Sequence, residues 1–387
     1  MSATVCLWAD TFGYPEGGGH AWVFLNWALG LRALGCRVIW LEAAEPTTPV
    51  AEVRRLTAAL KARLEHYGLA EGVALCSCTP EPLPPGAAAG CLDLESAAAA
   101  ADLLLNVSYN GDAAVLRRFR RTALIDIDPG LLQVWISERQ IELPRYDVYF
   151  SIGETVGQPG SRFPDAGLRW NYTPPCVALD WWPVRRAPDD APFTTVSHWH
   201  TYREWVCHGE ESYLNDKRSG FLPFLDLPRR TRQPLELALC LAADQDLRLD
   251  PDEEEERRTL EGRGWRVRHS FTVASTPWAY QNYVQGSRGE LSCAKPSCVH
   301  LQNAWVSDRT LCYLASGKPA VVQHTGPSRI LPDAAGLFRF RDLEEAARHL
   351  EAVAADYDRQ CRLARALAEE FFDARKVARR VLERALP

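Results

Sequence analysis

A histidine directly follows three glycines near the start of the chain, in Gly17-Gly18-Gly19-His20. Glycines let a backbone approach a ligand closely, and a helix that begins here offers N–H groups to it. An imidazole that titrates near neutrality can take a proton from a hydroxyl group, so His20 is a candidate general base. The alternative is a tight turn with His20 as an ordinary early helix residue. The spacing is not G-x-G-x-x-G, so the fingerprint of a dinucleotide site is absent.

Two aspartates end an apolar stretch in the segment 125–130, IDIDPG. Because side chains alternate along a strand, Asp126 and Asp128 are expected to point the same way. Asp128 is therefore a candidate partner for His20 or for an acceptor molecule. A turn rich in Asp, Pro and Gly is the competing interpretation.

A helix start in the last third of the chain carries Ser307, Asp308 and Arg309. Ser and Asp are good N-caps, the helix N-terminus stabilises negative charge, and the planar guanidinium suits phosphate. Ordinary capping with a surface arginine is the alternative. The strand that follows this helix ends in further hydrogen-bonding groups, namely Gln323, Thr325 and Gly326.

Two more segments place polar side chains near expected strand ends. His198 and Trp199 follow the first strand of the second half, where they would lie in a loop beside a cleft. Lys217 is a candidate phosphate-binding cation. The competing interpretations are a packed corner for the first pair and an exposed lysine for the second.

The twelve cysteines do not form a convincing metal motif. Cys76 and Cys78 are too close together for a zinc pair, and the group Cys293, Cys298 and His300 lacks a fourth ligand. The first residues do not resemble a signal peptide, so we expect a cytoplasmic protein with reduced thiols and no metal.

The bulk composition favours two globular domains. The chain has 387 residues, 47% of them hydrophobic, which exceeds the usual size of one domain. The net charge is -6 and no long basic run occurs, so nucleic acid is not a favoured partner. No apolar run approaches the roughly 20 residues of a membrane span.

Strand and helix patterns alternate along both halves, which predicts an α/β fold with parallel sheets. A helix is expected over 20–34 and an acidic helix over 251–261. A proline-rich, charged segment at 182–192 is the predicted linker. We expect two Rossmann-like halves with a ligand in the cleft between them. The predicted strands are 3–9, 37–42, 103–107, 123–127, 148–152, 193–196, 235–241, 265–268, 291–294, 320–323 and 336–340.

The segment 280–345 resembles bacterial glycosyltransferases of the GT-B type, in particular CgeB-like and group 1 members. The motifs that carry this likeness are AK at 294–295, WVSDR at 305–309, YLASGKP at 313–319, QHTG at 323–326, LP at 331–332, GL at 336–337 and EEA at 344–346. Weaker agreement extends over nearly the whole chain.

The resemblance implies two Rossmann-like domains whose parallel sheets face each other across a cleft. Residues 1–188 would bind the acceptor, 189–365 the nucleotide-sugar donor, and the helix 366–387 would pack back on the first domain. The donor would be UDP-, TDP- or GDP-linked, with no cofactor or metal. The acceptor, a small molecule or glycan, and the choice between monomer and homodimer stay open. The implied donor-binding residues are Lys217, Ser307, Asp308, Arg309, Gln323, Thr325 and Gly326, and the implied catalytic pair is His20 and Asp128.

One departure from the family pattern concerns the reaction's stereochemistry. Many retaining relatives carry Glu-x7-Glu across the helix start, where this chain has Ala304 and Cys312. The histidine after the glycines resembles inverting members, so an inverting reaction with His20 as base is expected. The alternatives are a sugar-nucleotide epimerase or hydrolase of the same fold, and a non-catalytic relative that binds sugar nucleotides.

Overall fold

The computed structural model describes residues 3–109, 111–200, 205–241 and 248–386. It divides into two compact units. The first comprises Met1–Gly157, Pro164–Ala178 and Asp373–Pro387, and the second Gln158–Phe163 and Leu179–Phe372. The chain therefore passes between units at 157/158, 163/164, 178/179 and 372/373, whereas we expected boundaries at 188 and 365. The proline-rich segment 182–192 lies inside the second unit, where Trp182 and Ala187 are buried.

The first unit is built on a seven-stranded, fully parallel sheet in the order β3-β2-β1-β4-β5-β6-β7. Parallel neighbours need crossover connections, and helices supply all of them here except the one from β6 to β7. The strands are β1 (Thr4–Trp8), β2 (Arg37–Ala44), β3 (Val73–Ser77), β4 (Leu103–Asn106), β5 (Thr122–Asp126), β6 (Val148–Ser151) and β7 (Trp170–Tyr172). The helices in the first part of the chain are α1 (Gly18–Ala33), α2 (Val50–Glu65), α3 (Leu94–Ala100), α4 (Ala113–Leu116) and α5 (Leu131–Ser137).

The second unit repeats this architecture, with strand order β12-β11-β8-β13-β14-β16-β15 and only β15 antiparallel. Its strands are β8 (Phe193–His198), β11 (Leu235–Cys240), β12 (Arg266–His269), β13 (Gly289–Ser292), β14 (Ala320–Gln323), β15 (Ala334–Ala335) and β16 (Leu337–Phe340), with a separate hairpin of β9 (Trp205–His208) and β10 (Glu211–Leu214). The helices that follow are α6 (Lys217–Phe221), α7 (Pro251–Gly262), α8 (Phe271–Ala274), α9 (Pro277–Gly286), α10 (Pro296–Leu301), α11 (Asp308–Ala315), α12 (Leu343–Ala355), α13 (Tyr357–Leu367), a π-helical turn (Ala368–Phe372) and α14 (Ala374–Ala385).

The last helix, α14, belongs to the first unit and packs against α1. The contact is close because Gly30 of α1 has no side chain, and a Cβ there would lie 2.7 Å from the Cβ of Ala374. The buried face of α14 consists of small and branched residues, including Val377, Ala378 and Val381. This small-residue packing returns the end of the chain to the unit in which it began.

Both sheets reverse their strand order at one point, between β1 and β4 in the first unit and between β8 and β13 in the second. In such sheets, ligands bind beyond the carboxyl ends of the strands at this switch point. In the second unit the reversal is marked, because β8 and β13 pair only through Gly289–Phe193 and Glu290–Thr194. The strands diverge beyond Glu290 and leave a gap.

The main differences from the predicted elements are short strands. β3, β7 and the β9–β10 hairpin were not predicted, and β13 lies two residues earlier than expected. All twelve cysteines lie in the described part of the chain, and none forms a disulfide there. No helix within the described ranges is long and apolar enough to cross a membrane.

Candidate active site

His20 lies in the first turn of α1, which follows the carboxyl end of β1. Its Nε2 is 2.5 Å from the carbonyl oxygen of Asp10. Because a carbonyl only accepts, Nε2 carries the proton, and no described residue hydrogen-bonds to Nδ1. Tyr14 and Phe24 meet the imidazole edge-on, with ring centroids 5.9 and 5.2 Å away. In the neutral imidazole, Nδ1 is then the ring nitrogen that can accept a proton.

Gly17 creates the room for this arrangement. A Cβ on Gly17 would lie 2.1 Å from Cδ1 of Tyr14, so a larger residue would displace the ring that packs on His20. Gly18 and Gly19 are not loop residues as predicted, because α1 already begins at Gly18.

A buried glutamate that sequence reasoning did not select holds the loop beside His20. Glu42, in β2, accepts hydrogen bonds from the backbone N–H of Thr11 at 3.0 Å and from Nε1 of Trp40 at 2.8 Å. The Thr11 hydroxyl donates to it as well. Burial raises the pKa of Glu42 to about 7, although these hydrogen bonds lower it. Since Thr11 follows Asp10, Glu42 fixes the carbonyl that orients His20.

Asp126 and Asp128 have different surroundings. Asp126 is fully buried and accepts hydrogen bonds from Gln133 at 2.8 Å and Ser151 at 2.7 Å. Burial raises its pKa to about 7. Asp128 is partly exposed and accepts a hydrogen bond from the Tyr109 hydroxyl at 3.1 Å.

Asp128 does not hydrogen-bond to His20 in the described residues. The Asp10 carbonyl occupies the position that we expected Asp128 to take. Asp128 instead stands at the end of β5, with Tyr109 from the loop after β4. Both groups lie at the same carboxyl edge of the sheet as His20, without direct contact.

A pocket lies at the N-terminus of α11 in the second unit, and we call it the α11 pocket. Its narrow interior is about 20 Å³, room for one water-sized group, and it opens to solvent. Ser307 caps α11 by accepting the N–H of Arg309 at 3.3 Å, as predicted from the sequence. The pocket brings together four of the predicted donor-binding residues and adds Trp305: its lining includes Cys293, Trp305, Ser307, Arg309, Gln323 and Thr325.

Arg309 fills the gap where β8 and β13 diverge. Its Nε donates to Glu290 at 2.7 Å, its Nη1 to the carbonyl of Val196 at 3.0 Å and its Nη2 to Ser292 at 2.6 Å. Only 13% of the side chain is exposed, and Glu290 is fully buried. Arg309 is therefore not the surface arginine of the alternative interpretation. It connects β8 to β13 at the point where the strand order reverses. Its positive charge lies in the wall of the α11 pocket.

Lys217 begins α6 and its ammonium reaches the same region. Nζ donates to the carbonyl of Cys293 at 2.6 Å and lies 5.8 Å from the centroid of the Trp305 ring. Burial lowers the pKa of Lys217 to about 7, and the nearby charge of Arg309 lowers it further. A negatively charged ligand here would favour the ammonium form.

The strand end after β14 closes one side of the α11 pocket. Gln323 accepts the N–H of Ala294 at 3.0 Å, and the Thr325 hydroxyl donates to the carbonyl of Trp305 at 2.6 Å. Gly326 adopts φ +128°, and a Cβ there would lie 2.5 Å from the carbonyl oxygen of Gln302. These residues hold the rim in place, and only glycine fits at position 326.

His198 and Trp199 separate in the structure. His198 ends β8 and is exposed. Trp199 is fully buried, donates from Nε1 to Glu256 at 2.9 Å and packs on Phe221 at 5.5 Å. Trp199 is thus a core residue and not part of an open loop, because its indole has both an apolar contact and a polar partner inside the unit.

Small buried residues occupy the two positions at which retaining relatives carry glutamates. Ala304 has φ +55° and donates its N–H to the Thr325 carbonyl at 2.8 Å, and Cys312 is buried on α11. Neither offers a carboxylate to a ligand. In the part of the chain that the structure describes, no three His, Cys, Asp or Glu side chains are grouped to hold a metal ion.

Neither a protein-family model nor a curated protein sequence matches the chain. Solved glycosyltransferase structures match it over its full length. Sucrose-phosphate synthase from Thermosynechococcus elongatus is 11% identical with a TM-score of 0.54, covering 98% of both chains. HepE from Anabaena, solved with UDP-glucose, is 13% identical with a TM-score of 0.57, covering 99% of both. An alpha-glucosyltransferase solved with UDP and DNA is 11% identical with a TM-score of 0.60, covering 100% of both. The GT-B fold predicted from the sequence is confirmed.

Proposed function

We propose that the chain is a glycosyltransferase that moves a sugar from a nucleotide-sugar donor to a hydroxyl group of an acceptor. The observation that carries this proposal is the α11 pocket. Ser307 and Arg309 line this pocket at the switch point of the second sheet, and Lys217 donates to the carbonyl of Cys293, which lines it as well. The neighbours solved with UDP or UDP-glucose share the fold of the whole chain, which supports a uridine diphosphate sugar as the first donor to test.

The donor's diphosphate would lie against the N-terminus of α11, where the helix dipole and Lys217 stabilise its charge. Arg309 would stabilise the diphosphate through its charge without bonding to it directly, since its nitrogens already donate to Glu290, Val196 and Ser292. When the bond from the sugar to the diphosphate breaks, negative charge develops on the leaving group. These fixed positive groups lower the barrier, so the reaction would not require a metal ion.

His20 would be the general base of an inverting transfer. The acceptor oxygen forms the new bond to the anomeric carbon, the bond to the diphosphate breaks, and the acceptor's proton passes to Nδ1 of His20. The Asp10 carbonyl keeps the proton on Nε2, which leaves Nδ1 as the accepting nitrogen. Asp128 and Tyr109 stand at the same sheet edge and would bind an acceptor hydroxyl.

A non-catalytic sugar-nucleotide-binding protein is the second candidate, because Ala304 and Cys312 replace the carboxylates of retaining relatives. It predicts donor binding without turnover. A sugar-nucleotide epimerase or hydrolase would instead turn over the donor without any added acceptor.

The first experiment measures thermal shifts with UDP-, TDP- and GDP-glucose, with NAD as the control. A ligand at about 100 times its dissociation constant adds about 2.7 kcal/mol of stability. The second follows transfer from the donor that binds to a panel of glycan and small-molecule acceptors. His20→Gln should keep donor affinity within about twofold and lose transfer by about 100-fold or more. A His20→Gln variant that transfers normally would exclude His20 as the base.

A further inference from the structure

A second, larger cavity of about 710 Å³ lies in the first unit, remote from His20. It is bordered by the residues just before β6 and β7 and by the end of α14, and we call it the arginine pocket after Arg145, Arg169 and Arg384. Its volume is within the range of pockets that hold small organic ligands, about 300–1,000 Å³.

The arginine pocket lies at the amino edge of the parallel sheet. Arg145 precedes β6 and Arg169 immediately precedes β7, whereas His20 and Asp128 follow the carboxyl ends of β1 and β5. The sheet is parallel throughout, so the two edges are separated by the length of a strand, roughly 13 Å for the four residues of β6. The pocket is therefore not part of the candidate active site.

The charges around the arginine pocket favour an anion. No described residue forms an ion pair or hydrogen bond with the side chains of Arg145, Arg169 and Arg384. Asp147 also lines the pocket, but its carboxylate accepts the N–H and hydroxyl of Thr122 at 2.8 and 3.0 Å and lies 3.7 Å from Arg121. Three cations thus surround one concave surface, and their potentials add.

The floor between these arginines is apolar and held by packing. Leu143, Leu168 and Ile136 line it, and all three are half-buried. The Tyr149 ring meets the rings of Tyr146 and Trp170 edge-on, at 5.9 and 5.5 Å. A ligand that covers this floor removes aliphatic and aromatic surface from water. A bare inorganic anion would leave that surface uncovered.

We propose that the arginine pocket is an accessory site for a small organic anion, in which a phosphate or carboxylate group meets the arginines and an apolar ring or chain covers Leu143, Leu168 and Tyr149. The three arginine side chains are exposed, so a ligand can reach them without any part of the unit unfolding. Pairing of β6 with β7 in the sheet holds the neighbouring backbone in place. The site does not depend on the proposed transfer reaction.

The test measures binding of 1-naphthyl phosphate to the full chain by calorimetry, with 1-naphthol and inorganic phosphate as the two halves of the probe. Each half should bind at least about tenfold more weakly than the whole. Arg145→Gln and Arg169→Gln should each weaken the binding of 1-naphthyl phosphate about fivefold. This corresponds to about 1 kcal/mol, the attraction in water between two charges about 4 Å apart. Arg55→Gln is the matched control, because Arg55 is an exposed arginine paired with Glu52 on α2.

A second variant changes the floor and the charge of the pocket together. Leu168→Asp places a negative charge among the arginines and should weaken 1-naphthyl phosphate more than either arginine variant. The proposal is overturned if the wild-type chain does not bind 1-naphthyl phosphate. It is also overturned if 1-naphthol binds equally well, or if the arginine and Leu168 variants bind like Arg55→Gln.

Discussion

Donor binding should depend on pH through Lys217. Its pKa is lowered from 10.5 to about 7, chiefly by burial and then by Arg309. A bound diphosphate would return the pKa towards 10.5, because a nearby negative charge favours the ammonium form. The free protein then has to take up a proton on binding at any pH above 7. Affinity is full below pH 7 and falls as the pH rises.

The size of the effect follows from the two pKa values. About half of Lys217 is charged at pH 7 and about 3% at pH 8.5, so the dissociation constant of UDP-glucose should rise about 15-fold between these values. Proton uptake should grow from about 0.5 to about 1 per donor bound. Calorimetry in two buffers with different ionisation enthalpies measures both quantities in one set of titrations.

Two variants test whether Lys217 causes the pH dependence of donor binding. Lys217→Met carries no charge at any pH, so its donor affinity should be low and independent of pH, with no proton uptake. Lys318→Met is the control, because Lys318 is also buried with a pKa lowered to about 8 but precedes the amino end of β14. Equal pH slopes in wild type and Lys217→Met would refute the assignment of Lys217 to the donor.

Two further substitutions test how the α11 pocket is held. Gly326→Ala should lower the free energy of unfolding by about 2–3 kcal/mol and weaken the binding of UDP-glucose, since the alanine Cβ would meet the Gln302 carbonyl. Gly286→Ala, where a Cβ meets nothing within 4 Å, should leave binding unchanged and raise the free energy of unfolding by about 0.4–1 kcal/mol. Arg309→Ala should cost about 3–5 kcal/mol in urea denaturation by leaving Glu290 buried and unpaired, and adding Glu290→Gln should recover part of it. A loss below about 1 kcal/mol would contradict the buried ion pair.

The fold was largely predictable because its strands are buried on both faces. Such strands form continuous apolar runs, and the segment 320–323 coincides with β14. β3, although mostly buried, was not predicted, and β7 was missed for a reason of its own. β7, Trp170–Tyr172, has three residues, of which Asn171 and Tyr172 carry polar groups, and this is too short to show a periodic pattern. Its place at the edge of the sheet is decided by tertiary packing.

The candidate site was predictable at helix and strand ends and less so at single side chains. Ser307 caps α11 because capping depends on residue type and local backbone alone. Trp199 was placed near a ligand, yet it lies in the core, since an indole is equally suited to a pocket and to an interior. Glu42 was overlooked because it ends a strand pattern, and only the fold shows that Thr11 and Trp40 surround it.

Arg309 shows why a motif can be located from the sequence while the contacts of its side chain cannot. The sequence places an arginine at a helix N-terminus, which is typical of phosphate binding. The sheet adds a fact that no local pattern contains: β8 and β13 pair through two residues and then diverge. The guanidinium in this gap already donates hydrogen bonds to Glu290 and Ser292, and this limits its direct contact with a diphosphate. Among the described residues Lys217 makes one hydrogen bond, to the Cys293 carbonyl, and its ammonium is therefore the cation better able to reorient towards a donor.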